Sequence, residues 1–186
     1  TTRPCANCSG FGSVISDPCG ECAGDGRVRT RKKIPVKIPA GVETGNRIQM
    51  SGVGEVGPGG GPAGDLYLEI VVAPHENLIR EGVDLHLSIT INMAAAILGA
   101  KVKVPTLDGD RELEIKAGVQ SGDILVLKGL GVTKLRGSGR GDLLVHIDIQ
   151  TPTKLNAEQE KYINEFIKSR KEDVTKIKVN LVNDIA

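Results

Sequence analysis

The chain has 186 residues, with 24 lysines and arginines against 23 aspartates and glutamates. That balance excludes a protein-wide basic surface for a phosphate backbone, and an aromatic content of 2% leaves few platforms on which bases could stack. No run approaches the roughly 20 apolar residues of a membrane span, and a core drawn from Val, Ile and Leu in a chain with 24 glycines favours short strands and tight turns.

The opening Thr1-Thr2-Arg3-Pro4 runs straight into the first cysteine, with no secretory signal pattern. It reads as a start inside a longer, cytoplasmic protein. All four cysteines then fall in two stretches of one form, CANCSGFG (5–12) and CGECAGDG (19–26), each C-x-x-C-x-G-x-G. Zinc takes four soft ligands in a tetrahedron, and a C-x-x-C turn offers two of them. The trailing Gly10, Gly12, Gly24 and Gly26 allow positive φ, so backbone N–H groups can face the sulfurs. Spacing alone makes Cys5, Cys8, Cys19 and Cys22 candidate ligands of one zinc ion. Thiol exchange is the competing use of C-x-x-C, but no thioredoxin-like βαβ pattern surrounds these pairs.

The basic run RVRTRKK (27–33) follows. Its alternation suits the solvated face of a strand, where Lys and Arg also guard an edge against aggregation; a nucleic-acid patch is the alternative. Beyond it lies an internal repeat. Residues 36–54, VKIPAGVETGNRIQMSGVG, align without gaps on 113–131, LEIKAGVQSGDILVLKGLG, at an offset of 77. Ile38, Ala40, Gly41, Val42, Gly45, Gly52 and Gly54 match identically. The same offset carries GDLYLEIVV (64–72) onto GDLLVHIDI (141–149). Two copies of one unit follow.

Each copy predicts β-structure: an alternating "VKIP" segment, an A-G-V-x-x-G turn, a short strand, a glycine-rich connection and a second strand after Gly-Asp-Leu. The second strands alternate Leu66, Leu68, Ile70, Val72 and Leu143, Val145, Ile147, Ile149. One apolar face per strand predicts a sandwich with solvent outside. The glycine runs lack the lysine and the strand–helix setting of a phosphate loop. Copy two is preceded by a strand, a short helix around Met93–Leu98, another strand and a turn at Asp108-Gly109-Asp110. At the same offset these fall on 7–32, where the cysteine segment stands instead. Copy one has therefore lost its leading half, or carries it upstream.

His75, His86 and His146 are scattered, without a paired nucleophile or base, and His146 reads as outward-facing. No catalytic constellation emerges. After Pro152, Asn156 is a helix N-cap, and Tyr162, Ile163, Phe166 and Ile167 form an apolar stripe at i, i+1, i+4 and i+5. That stripe covers either its own sandwich or a second chain. The alternation of Ile177, Val179 and Leu181 suits an added strand or a tail.

From about residue 3 to residue 165 these features together resemble the C-terminal region of the DnaJ/Hsp40 co-chaperones of the zinc-bearing bacterial type. The resemblance rests on the two cysteine motifs, VKIPAGVETGNRIQMSGVGEVGPGGGPAGDLYLEIVVAPHENLIREGVDL, NMAAAILGAKVKVPTLDG and GDLLVHIDIQTP. It implies a mainly β protein with two similar small β-sandwich domains in series, a partial Cys-rich zinc module at the N-terminus and a short C-terminal helix. On this chain the zinc module spans 1–30, the first sandwich (without its leading strands) 31–82, the second 83–152, and the dimerisation helix and tail 153–186. The implied activity is non-enzymatic: holding unfolded polypeptide clients, added as a strand beside the first sandwich, for delivery to an Hsp70 chaperone. Ile34 and Leu68 carry over as client-pocket residues, although both would also suit an ordinary core. The helix residues Tyr162, Ile163, Phe166 and Ile167 carry over to a homodimer contact, and neither nucleic acid nor membrane is an implied partner. Two departures matter. The family's J domain stimulates Hsp70 through a His-Pro-Asp motif, whereas the three histidines here are followed by Glu, Leu and Ile. The family also carries four cysteine motifs, the first sharing zinc with the fourth and the second with the third. The two pairs here resemble the third and fourth, which implies halves of two sites rather than one. A zinc ribbon, with nucleic acid as its partner, fused to a repeated β-domain is the competing reading.

Overall fold

The repeated segment folds the same way twice. In the computed structural model, which describes residues 3–8, 10, 12 and 14–176, β1 (Arg47–Met50) pairs antiparallel with β2 (Leu66–Glu69), and Ile48 stands opposite Leu68. In copy two, β7 (Ile124–Leu127) pairs with β8 (Leu143–Gln150), and Leu125 stands opposite Val145. The register is identical after the shift of 77. So are the bridges Val56–Ala63 and Thr133–Arg140 within the two connections. Gly54 N–H donates to the Gly64 carbonyl at 2.8 Å, and Gly131 N–H to Gly141 at 2.8 Å. The turns match too: Gly41 and Gly45 have φ of +86° and +91°, and Gly118 and Gly122 have the same two values. A side chain would be strained at each of these positions, which accounts for the glycines shared by the two A-G-V-x-x-G stretches.

The chain divides into two compact units, residues 1–85 with 128–142, and residues 86–127 with 143–186. In the second unit β8 lies between β7 and β4 (Asp84–Asn92). Asn92 ends β4 and caps α1 (Met93–Leu98), its side-chain oxygen accepting the Ala95 N–H at 2.8 Å. The helix stops at Gly99, φ +83°, where a side chain would press on the backbone of Ile115 and Ala117. β5 (Ala100–Val104) and β6 (Arg111–Ile115) then form a hairpin around the expected turn. Leu87, Ile91, Ala96, Val104, Leu113, Ile115, Leu143, Val145 and Ile147 fill the interior. This is the expected alternation of β8, with three of its four inward positions fully enclosed.

The first unit holds β1, β2, β3 (Ile79–Glu81) and the connection 128–142. Among its described residues only Leu78 and Leu85 are buried apolar side chains. Leu66, Leu68 and Ile70 are half-buried, and Val72 lies outside the ladder and is exposed. The "VKIP" segment departs from expectation, because residues 28–39 enter no ladder. Its counterpart in copy two is β6, whose partner β5 falls, after the shift of 77, on residues 23–27 inside the cysteine segment. Val36 and Ile38 are 37% and 56% exposed, whereas Leu113 and Ile115 are core.

The fold is thus mainly β, with two α-helices among the described residues. The second, α2 (Ala157–Arg170), begins with a capping box in which Asn156 accepts the Gln159 N–H and the Gln159 side chain accepts the Asn156 N–H. No helix among the described residues is long and apolar enough to cross a membrane. The alternation at 177–181 lies outside the described residues.

Candidate functional site

The cysteine pairs are two copies of one turn. The N–H groups of Cys8 and then Asn7, with the Cys8 thiol behind them, donate to the Cys5 sulfur and hold that thiol below its ordinary range. Cys22 and Glu21 do the same for Cys19. Gly10, Gly12, Gly24 and Gly26 all have φ between +71° and +92°, the conformation expected for glycines that turn the backbone back on the sulfurs. Cys5 and Cys19 are exposed, Cys8 and Cys22 half-buried, and all four are free thiols. This donor set suits a soft cation, two ligands at a time. Among the described residues no three His, Cys, Asp or Glu side chains stand close enough to share an ion.

The basic run leaves the second motif fully exposed and without secondary structure. Arg27 Nε donates to Asp25 at 2.8 Å, and this bond and the carboxylate's charge raise the guanidinium above its ordinary value. Further along, Ile34 and Leu68 are each half-buried in the first unit. Leu68 differs from its counterpart Val145, which is 0% exposed.

On α2 the stripe divides by depth. Ile163 and Ile167 are half-buried, while Tyr162 and Phe166 are 60% and 46% exposed. The Tyr162 hydroxyl donates to Glu158, and the Arg170 guanidinium lies 5.6 Å from the centre of the Phe166 ring.

Residues 7–152 match the family described as DnaJ C terminal domain. The chain belongs to that family. Its relatives include Chaperone protein DnaJ 2 of Streptomyces avermitilis, 58% identical over 173 residues that make up 93% of this chain and 46% of the relative. Chaperone protein DnaJ 1 of Cutibacterium acnes is 51% identical over 182 residues, 92% of this chain and 46% of that protein. Chaperone protein DnaJ 1 of Mycolicibacterium paratuberculosis is 49% identical, with 96% and 47% covered. The chain thus spans about half the length of these DnaJ relatives.

Three arrangements in this DnaJ domain escaped the sequence. His86 and His146 are not scattered: His86 Nδ1 lies 2.8 Å from His146 Nε2. Their ring centres are 5.1 Å apart and tilted by 24°, so the rings meet edge to edge across a hydrogen bond rather than face to face. Asp65 Oδ1 accepts the Gly52 N–H at 3.0 Å and Asp142 Oδ1 the Gly129 N–H at 2.7 Å. The repeated Gly-Asp-Leu could have revealed these paired staples, since each Asp sits 13 residues after the glycine it holds. Arg80, discussed below, has no counterpart in copy two and left no such signal.

Proposed function

We propose that this DnaJ domain binds unfolded polypeptide clients in its first unit, dimerises through α2, and so presents clients to an Hsp70 chaperone. Belonging to a chaperone family supports the general role. The observation that carries the client site is the contrast inside the repeat. Leu68 keeps accessible apolar surface where Val145 keeps none, and Ile34 is also half-open. An extended client segment added as a strand gains main-chain hydrogen bonds that do not depend on its sequence, and a partly open apolar pocket asks only for an apolar side chain. Promiscuous binding follows from those two terms. Tyr162 and Phe166, exposed on α2 above Ile163 and Ile167, form the stripe that a second copy would cover. Zinc is the cofactor we assign to the thiol pairs, each supplying two ligands and each completed by a further pair; its role is structural. We assign residues 1–30 to the zinc module, 31–82 and 83–152 to the two sandwich domains, and 153–186 to the dimerisation region. We read the domain as non-enzymatic and cytoplasmic, in keeping with cysteines used as metal ligands rather than disulfides.

The test is suppression of aggregation of a chemically denatured client by the purified chain, with Leu68→Asp and Ile34→Asp beside it. Wild-type protection that both variants lose supports the site. Equal protection by all three would place client binding elsewhere.

A further inference from the structure

The A-G-V-x-x-G turn occurs twice with the same dihedral angles, yet the two copies are held by different means. In copy two Gly118 N–H donates to the Ala96 carbonyl of α1 at 2.8 Å, so a helix anchors the turn. In copy one an arginine reaches the same turn, beside the bonds from Gly45 N–H to the Ile70 carbonyl and from Val72 N–H to the Thr44 hydroxyl. Arg80, from β3, donates through Nη1 to the Val42 carbonyl at 2.7 Å and through Nη2 to the Gly41 carbonyl at 3.1 Å. Nη2 also meets Glu43 Oε1 at 3.1 Å, and Nε donates to Gly82 at 2.7 Å, which fixes the guanidinium to its own hairpin. The planar fork of arginine matches this set of convergent oxygens; a lysine has one nitrogen for all of them. On its other side the turn has no slack. A Cβ at Gly41 would collide with the Thr133 carbonyl and crowd the Leu135 amide.

This turn joins the two halves of the proposed client site. The segment bearing Ile34 enters it, and β1 leaves it to pair with β2, placing Ile48 opposite Leu68. We infer that Arg80 is the positioning residue of the client site: by clamping residues 41–43 it sets where the Ile34 segment lies relative to Leu68. The inference rests on the client-binding reading above.

The experiment measures binding of a fluorescein-labelled extended peptide of alternating leucine and serine by anisotropy. Wild type, Arg80→Lys, Arg80→Ala and Leu85→Ala are compared, with the melting temperature of each recorded. Leu85→Ala is the control for destabilisation of the same unit, since Leu85 is buried and outside the clamp. Arg80→Lys and Arg80→Ala should each weaken binding by about tenfold, the size expected from losing one or two such hydrogen bonds. Leu85→Ala, with an equal or larger fall in melting temperature, should bind like wild type. Millimolar guanidinium ion, far below denaturing levels, should restore Arg80→Ala and leave Arg80→Lys unchanged. Wild-type affinity in Arg80→Ala, or a loss no greater than that of Leu85→Ala, overturns the inference and leaves client binding standing. Failure of the wild type to bind the peptide overturns the client-binding reading itself.

Discussion

Replacing Val145 and Leu68 by alanine, one at a time, separates core from site, because the two residues occupy the same place in the repeat. Val145 is 0% exposed. Shortening it removes about two methylene equivalents, roughly 1.6 kcal/mol of transfer free energy. A cavity of about 40 Å³ that does not collapse adds about 1 kcal/mol. A loss near 2.5 kcal/mol should lower the melting temperature by roughly 10–20 °C in a unit of this size. Leu68 is only half-buried, so its three methylene equivalents count for about half, near 1.2 kcal/mol, and the open side leaves little trapped void. Thermal unfolding followed by far-ultraviolet circular dichroism gives the stabilities, and anisotropy with the leucine–serine peptide gives the affinities. Val145→Ala should be the less stable protein with unchanged affinity, and Leu68→Ala the more stable one with affinity reduced about tenfold or more. Equal destabilisation with no change in binding would show that Leu68 is ordinary core, and the client-site argument would collapse.

Alkylation by iodoacetamide at neutral pH should modify Cys5 and Cys19 ahead of Cys8 and Cys22, since backbone N–H groups favour their thiolates and both are exposed; mass spectrometry of peptides reads the order, and an even rate at all four would contradict it. Added zinc should slow that reaction at both cysteines of a motif together, and protection of a single cysteine would speak against paired ligation. Asp65 is held below the usual carboxylate range, chiefly by the Gln49 side chain and then by the Gly52 N–H. Its folded-state value is depressed, so its contribution is present above the ordinary carboxylate range and disappears as pH falls through the folded value. The melting-temperature gap between wild type and Asp65→Asn should thus be steady at neutral pH and close below about pH 4; a gap that persists at pH 2 would refute the assignment. Phe166→Glu should halve the mass seen by sedimentation equilibrium without loss of helix, and an unchanged mass would remove α2 from the dimer contact.

Much of the fold was legible because the chain states it twice. The seven identities between 36–54 and 113–131, together with Gly-Asp-Leu, located two hairpins whose register the structure repeats residue for residue. The cap at Asn156 was equally plain, since a short polar side chain before an apolar run has one local use. The "VKIP" strand was misjudged because alternation describes a side-chain pattern and not the presence of a hydrogen-bonding partner. The meeting of His86 with His146, 60 residues apart, depends on the pairing of β4 with β8, which no local signal specifies. At the cysteines the sequence fits one four-ligand site equally with two halves, because a C-x-x-C turn fixes two ligands of an ion and not the source of the other two.

On the proposed reading, the difference between the two copies bears on how one hairpin would serve a transient ligand. In the second unit β4, α1 and the β5–β6 hairpin close over β7–β8, and the inward side chains become permanent core. Apolar surface consumed in that way contributes to folding and is lost to binding. In the first unit Leu66, Leu68 and Ile70 of the same hairpin are half-open, and on the proposed reading a client would cover part of that apolar surface. Such a surface needs rigidity from another source, because an open pocket on a loose turn would spend the ligand's binding free energy on ordering the chain. Polar clamps supply it: Asp65 on Gly52 and Gln49, and Arg80 on residues 41–43. Hydrogen bonds of this kind hold the backbone without covering the apolar face.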